Sequence, residues 1–394
     1  MYSICIKSEN YMVNSTKKWI WEHEKYPYFP YNREKLKEKL RKAEYLRGLL
    51  GGMLSFANKN DLDEMEIASI TDEIINTSQI EGEYLKRNSV RDSVAKAINR
   101  EYTSAEDMST RHTDNLVALM LDSHRNNEPL STERLHGWHN AIFSNTTGYE
   151  GVRKIKVGLF REYDDMKVVE NAFGREGEIV KYVAPPHHLI DKDIKALVAY
   201  CNNSDEEPYV KAALAHLWFV SIHPYDDGNG RISRAIADYI LSRDTQADHK
   251  VYSMSTVIYA ERAAYYDTLD MTTNLYKNRH YDFTLWIEWN LDILIRALER
   301  SQERILFIIK KTKFWDRCRE VKLTKQHIQF LDLYIDALSK EEKNEFTNHD
   351  YRAITGASPV TASRHIKKLL ESGCIEKIEG KTKRNASYTL NFEN

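Results

Sequence analysis

His223-Pro-Tyr-Asp-Asp-Gly-Asn-Gly-Arg-Ile-Ser-Arg234 is the stretch from which the rest of the chain can be read. Pro224 disfavours helical backbone in the residue before it, so the helical pattern of Tyr209–Ile222 should end near His223. Gly228-Asn229-Gly230 is a turn that tolerates positive φ and lets backbone come close to a ligand. Beyond it Ile232, Ile236, Ile240 and Leu241 fall at helical spacing, which predicts a helix over Arg231–Arg243. A glycine turn feeding a helix N-terminus makes an anion site, because free N–H groups and the helix dipole point the same way. Arg231 and Arg234 share a face of that helix. Asp227 can take one or two positions on a magnesium ion bridging phosphates, and His223 titrates near neutrality at the other lip. Each part alone is ordinary: a structural histidine, a turn, a solvated arginine face. Together they describe a place that holds a nucleoside triphosphate. The stretch is not a Walker A loop, since no Gly-Lys-Ser/Thr follows, nor a Rossmann fingerprint, since a third glycine and a preceding strand are missing.

Composition bounds the function. The chain has 394 residues, enough for two or three domains, with 42% hydrophobic residues to build a core. A net charge of −2 argues against a nucleic-acid coat or a membrane-surface binder. Cys5, Cys201, Cys318 and Cys374 lie far apart without a C-x-x-C, which suits a reducing cytoplasm better than disulfides or zinc. No signal-peptide pattern and no run of membrane-spanning length is visible. His136 and His139 have no acidic residue between them and are not read as zinc ligands.

The twelve-residue stretch resembles the signature of the Fic family, HPFx(D/E)GNGRxxR, matching at His223, Pro224, Asp227, Gly228, Asn229, Gly230, Arg231 and Arg234, with Tyr225 in place of the more frequent Phe. The resemblance implies a mainly α fold, a Fic-type helical core with a β-hairpin flap. It implies a nucleotidyltransferase that moves AMP from ATP to a hydroxyl side chain of a target protein. His223 would be the catalytic base and Asp227 the Mg²⁺ ligand. Gly228, Asn229 and Gly230 would cradle the α-phosphate, and Arg231 and Arg234 would hold the β- and γ-phosphates. Some relatives transfer phosphate, UMP or phosphocholine instead, and the same site can also remove AMP. The phosphate-transferring relatives alter the glycine turn, which is unaltered here.

Thr77-Ser-Gln-Ile-Glu81-Gly82 fits the inhibitory pattern (S/T)xxxE(G/N) of many Fic proteins. Ile67, Ile70, Ile74 and Ile75 put it at the end of an amphipathic helix, and Gly82 is a good C-cap. A carboxylate presented by Glu81 to Arg234 would occupy the arginine that the γ-phosphate needs. The wording around Trp19–Pro27, with Glu81-Gly-Glu-Tyr-Leu and Ser89-Val-Arg, resembles the N-terminal extension of one bacterial Fic subgroup.

Along the chain, residues 1–105 read as that extension, with helices over Arg33–Leu50, Leu62–Ile80 and Ser89–Asn99, and residues 106–300 as the core. Within the core, Val157–Arg161, Met166–Asn171 and Ile179–Pro186, with Gly174 and Gly177 between the last two, suggest a hairpin. In the family the corresponding flap, about 157–184 here, holds the target segment as an added strand. Trp138, Trp218, Phe219, Trp286 and Trp289 are expected packing anchors. Tyr266 either borders the adenine or packs in the core. Asn274 is the candidate for an adenine contact, offset by one from the family's spacing, where Thr273 stands.

Residues 301–321 read as a linker helix and 322–394 as a small winged helix-turn-helix-like domain. Residues 352–384 carry eight Lys or Arg against three Asp or Glu, a balance suited to DNA phosphates; such modules equally serve protein contacts or a homodimer. The competing class to an enzyme is therefore a DNA-binding regulator using the core as a nucleotide sensor. An intact His223 favours the enzyme, since a sensor needs no base.

Overall fold

The computed structural model describes residues 2–4, 17–99, 106–144, 155–171, 178–244, 249–319, 321–339, 345–380 and 386–392. It is mostly helical and divides into two compact units, Met1–Arg300 and Ser301–Asn394.

The first unit opens with β1 (Tyr2–Ile4) and a 3-10 turn at Ile20–Glu22. Three helices follow, α1 (Arg33–Leu54), α2 (Lys59–Ile80) and α3 (Arg87–Ile98). The core proper comprises α4 (Arg111–Arg125), α5 (Thr132–Phe143), β2 (Lys167–Asn171), β3 (Glu178–Val183), α6 (His187–Asn203), α7 (Pro208–Ile222), α8 (Asn229–Asp244), α9 (Met254–Ala260), α10 (Arg262–Thr273) and α11 (Thr284–Cys318). Starts are fixed by local chemistry. The side chains of Asn32, Asn58, Thr110 and Ser131 accept N–H groups in the first turns of α1, α2, α4 and α5. Pro208 stands in the first turn of α7, where its missing N–H costs nothing.

α7 is buried almost all round, from Tyr209 to Ile222, and packs along α8. It is the axis of the unit, which is why its sequence shows no polar face. Trp138, Trp218, Phe219 and Trp286 are buried as expected, and Trp289 stacks on Trp286 with ring centroids 5.6 Å apart. α2 departs from a simple apolar stripe. Beside Ile70, Ile74 and Ile80 it buries Glu66, held by Arg125 at 2.6 Å and His249 at 2.8 Å, and Glu73, held by the Ser255 amide at 3.2 Å. Buried charges persist only with such partners.

The three strands form one antiparallel sheet, β1-β2-β3, with a register shift at Val168/Val169. Val157–Arg161 was expected to be part of the hairpin and is instead a turn. Gly158 sits at φ +71°, where a Cβ would lie 2.6 Å from the Asn140 side chain, so the segment cannot run on as a strand. Gly174 and Gly177 lie outside the described residues. The hairpin is tied down: Tyr182 donates to the Ser221 carbonyl of α7 at 2.8 Å, and the Trp21 indole to Val183 at 2.8 Å. Trp19, Met166, Tyr182 and Ala184 form a small core beneath it.

The boundary between the units falls within α11, so residues 301–318 continue a 35-residue helix rather than forming one of their own. The second unit adds α12 (Lys325–Ser339), β4 (Phe346–Thr347), α13 (Asn348–Thr355), α14 (Pro359–Glu371), β5 (Ile375–Lys377) and β6 (Ser387–Leu390). Its sheet order is β4-β6-β5, all antiparallel, around a core that includes Phe314, Phe330, Phe346, Tyr351, Ile366 and Leu369. α13 ends on Gly356 at φ +66°, and Ser358 caps α14 with Pro359 next, giving a tight helix-turn-helix. Ser363, Arg364 and Lys367 are exposed on α14.

Candidate active site

α7 stops where the sequence says it must. Its cap residue, His223, is left-handed at φ 49°, ψ 58°, a strained conformation for a residue with a side chain. The strain is held from both sides. The His223 amide donates to Phe219 at 3.0 Å, and Arg161 donates from Nε to the His223 carbonyl at 2.9 Å. Arg161 is 2% exposed; its backbone also donates to Pro224 at 2.9 Å, and its Nη2 to Pro185 at 2.5 Å. One arginine therefore ties the histidine loop to the foot of the hairpin.

The His223 ring is oriented as well. Nδ1 lies 3.2 Å from the Val220 carbonyl. A carbonyl only accepts, so Nδ1 carries the proton and Nε2 is left with its lone pair. Burial pushes the imidazole down to about 4, and the Arg161 charge adds to the fall. At neutral pH the ring is an unprotonated base.

The glycine turn follows. Asn229, 3% exposed, accepts from the Tyr225 amide at 3.0 Å and donates to the Tyr225 carbonyl at 2.8 Å. Its side chain staples the loop and does not reach for a phosphate; only its backbone N–H, in the first turn of α8, is placed for that. Gly228, at φ +80°, lies against Phe143, which a Cβ would meet at 2.8 Å. Its N–H donates to its neighbour Asp227 at 2.6 Å. Burial raises the Asp227 carboxyl, with Glu81 and Glu83 adding to it and Arg231 opposing. A cation here would relieve that. A magnesium ion uses one or two protein carboxylates and completes its shell with water and phosphate, so the lone Asp227 fits one. Among the described residues no group of three His, Cys, Asp or Glu gathers as metal ligands.

Tyr225 is fully buried, stacked on His139 with centroids 4.1 Å apart, and its hydroxyl lies 3.0 Å from His136 Nδ1. His139 accepts from the Gly158 amide at 2.9 Å and donates to the Asp227 carbonyl at 3.2 Å. Both histidines are struts of the loop.

Glu81 meets Arg234. Its Oε1 accepts from Nη2 at 2.7 Å. Thr77, first residue of the same pattern, accepts from Arg234 Nε through its hydroxyl at 2.7 Å and from Nη2 through its carbonyl at 3.0 Å. The pattern's hydroxyl residue thus has a job that spacing alone did not assign. Glu81 lies so close to Gly230 that a Cβ there would meet Oε1 at 2.1 Å.

A second carboxylate was not anticipated. Glu83 accepts from Arg231 Nη1 at 2.6 Å and from His112 Nε2 at 2.9 Å. Burial alone would raise its carboxyl, but the His112 hydrogen bond and the Arg231 charge outweigh that and hold it below the usual range.

These groups line one cleft of about 750 Å³, with Glu81, Glu83, His112, His223, Asp227, Gly230 and Arg231 on its walls, together with Lys167–Val169 of β2 and Lys181–Tyr182 of β3. Tyr266 and Thr273 of α10 also line it. Asn274 is not among the lining residues. It ends α10, is buried, bonds to the Tyr276 amide at 3.1 Å and bridges to Trp19, so the one-residue offset turns it into the neighbouring loop. Thr273, which stands at the family's spacing, takes the cleft position.

Residues 129–241 match the model of the Fic/DOC family, and residues 19–99 match a domain of unknown function, DUF4172. The chain is 27% identical over 105 residues to a probable protein adenylyltransferase of Aquifex aeolicus; the match spans 26% of this chain and 33% of that protein's length. A Fic family protein from Desulfovibrio desulfuricans has a similar fold at 17% identity and a TM-score of 0.50, covering 91% of this chain and 96% of that one. A Fic-domain signalling protein from Bacteroides thetaiotaomicron, at 19% identity, has a TM-score of 0.47 over 70% of this chain and 95% of that one.

Proposed function

The chain belongs to the Fic/DOC family, and from that premise we propose that it transfers AMP from ATP to a hydroxyl side chain of a target protein and is restrained by Glu81. The observation that carries this reading is a base and an anion nest on one cleft: His223 with Nε2 unprotonated, and the first turn of α8 beside Arg231 and Arg234. In the proposed step Nε2 takes the proton of the target hydroxyl. The hydroxyl oxygen bonds to the α-phosphorus as the bond to the β-phosphate oxygen breaks, and pyrophosphate leaves. N–H groups of Asn229 and Gly230 receive the charge that develops on the α-phosphate oxygens. Asp227 would hold a Mg²⁺ ion, which would supply neutralisation of the phosphate charge.

Three properties of the site support the restraint. Glu81 and Thr77 together take Arg234, which the γ-phosphate would otherwise engage. Glu81 presses on Gly230 in the nest itself. Arg234 is nearly buried, so a carboxylate there is shielded from competing water. For the target, the hairpin would offer backbone pairing along β3, an edge strand of the sheet among the described residues, β1 lying along the other side of β2. The second unit carries a separate proposal, contact with DNA through α14, favoured by exposed Arg364 and Lys367 on the second helix of a helix-turn-helix.

The test is a lysate incubated with ATP labelled at the α- or the γ-phosphate. α-Label on protein, increased by Glu81→Gly and abolished by His223→Ala, is the expected result. γ-Label would mean phosphorylation, and no label with any version would mean a nucleotide sensor.

A further inference from the structure

Glu83 sits between two side chains that would rather hold a larger anion. Its Oε2 takes Arg231 Nη1 and its Oε1 takes His112 Nε2. Arg231 is 9% exposed, yet its Nε has no hydrogen-bond partner among the described residues; His112 Nδ1 is buried and without one as well. A guanidinium presents a fork of parallel N–H groups, and a two-oxygen carboxylate stretched between arginine and histidine leaves part of that fork idle. A phosphate, with more oxygens and more charge, can use it. His112 also stands in the first turn of α4, where the helix N-terminus favours an anion. The arginine is steadied on its other side by the Phe143 ring, 5.1 Å away.

Glu83 is joined to Glu81 through a single residue, Gly82, at φ +88°. That left-handed hinge turns two successive carboxylates toward two different arginines, Glu81 to Arg234 and Glu83 to Arg231. One movement of residues 81–83 would free both.

We propose that His112 and Arg231 form an anion subsite for the diphosphate end of the nucleotide, and that Glu83 fills this subsite in the resting chain as a second restraint. The proposal rests on the reading of the cleft as a nucleotide site, and assigns to it a phosphate-binding histidine from α4 and a second competing carboxylate.

Binding to the full-length chain tests this without calling on transfer. Inorganic pyrophosphate and ATP with Mg²⁺ are titrated calorimetrically into wild type, Glu83→Gln, His112→Gln and the double variant at one fixed salt concentration. Glu83→Gln removes the competing charge and keeps the shape, so pyrophosphate and ATP should both bind about tenfold more tightly or better. Adding His112→Gln should cancel most of that gain. If Glu83→Gln changes neither affinity while lowering the melting temperature, the cluster is a packing device and the proposal falls. It falls equally if His112→Gln has no effect in the Glu83→Gln background. Should Glu83→Gln fold poorly, Glu83→Asp keeps the charge but is too short to reach both partners, and tighter binding is again expected. The two readings fail separately. Tighter pyrophosphate binding with no α-label transferred even by Glu81→Gly would sink AMP transfer and leave the subsite. Transfer by Glu81→Gly with no change of affinity in the Glu83 variants would do the reverse.

Discussion

Replacing Glu81 by Ala should lower the stability of the ligand-free protein and enlarge its response to ATP by the same amount. The contact removed is one charge-assisted hydrogen bond of 2.7 Å to an arginine whose side chain is 4% exposed. Such a bond contributes about 1.5–3 kcal/mol, and stranding a fully buried charge costs about 3–5 kcal/mol. Arg234 keeps both Thr77 contacts and so is not stranded, and the lower end applies, about 2 kcal/mol. At roughly 2–4 °C per kcal/mol for a large unit, the melting temperature should fall by about 4–8 °C. ATP works against the same contact. On the proposed reading its γ-phosphate would have to displace Glu81 in wild type, whereas in the variant it would meet an arginine held by Thr77 alone. At a ligand concentration a hundredfold above Kd, binding stabilises by about 2.7 kcal/mol, enough to cover the deficit. Scanning fluorimetry with and without ATP and Mg²⁺ should therefore show two ligand-free curves apart and two loaded curves nearly together. A variant that melts early but gains no more from ATP than wild type would refute the competition, because Glu81 would then be a structural partner of Arg234 and nothing else.

Thr77→Ala should release the restraint in part, raising AMP transfer less than Glu81→Gly does, while Thr77→Ser should leave transfer at the wild-type level, since the hydroxyl that accepts from Arg234 Nε is retained; α-label incorporation measures both. Acid should destabilise the first unit early. His216 is pushed down to about 3, and His139 and His223 to about 4, mainly by burial. Each is neutral when folded and titrates near 6.5 when unfolded, so the unfolded chain binds more protons and stability falls as pH drops from about 6.5 toward 4. Melting temperatures across that range check the slope, which should be shallower for His139→Gln. For the same reason the acid limb of transfer should lie near pH 4 rather than 6.5, and a limb at 6.5 would show that His223 does not titrate in the buried state described. Replacing Arg364 and Lys367 together by Glu should abolish any salt-dependent shift of duplex DNA by the full chain and leave ATP binding unchanged; equal shifts by both proteins would remove α14 from the interface.

Local chemistry carried most of the architecture. Asn32, Asn58 and Pro359 mark helix starts within a few residues, and Pro224 with the glycine turn marks both the end of α7 and the start of α8. The Glu81–Arg234 contact was legible because its two ends lie in two recognisable patterns. Glu83–Arg231 joins residues 148 positions apart, and nothing in the spacing of Glu83 distinguishes it from a solvated glutamate. Arg161 was equally silent, as its role depends on which carbonyls the fold gathers around it. Val157–Arg161 was misread because alternation does not report the left-handed turn at Gly158, packed where no Cβ would fit beside Asn140, and Asn274 because a helix end displaces its last side chain from the face its predecessors share.

The left-handed hinge at Gly82 has a consequence for how such a protein is tuned. If the proposed restraint holds, Thr77, Glu81 and Glu83 would act as a tethered ligand in the nucleotide's place, at a high local concentration set by the chain itself. The ATP affinity an experiment reads is then the intrinsic affinity scaled by the fraction of molecules in which the tether is off. That fraction is set by how firmly α2 is seated, including the Glu66 and Glu73 contacts far from any phosphate. Loosening α2 anywhere along its length should look, in a titration, like tighter binding.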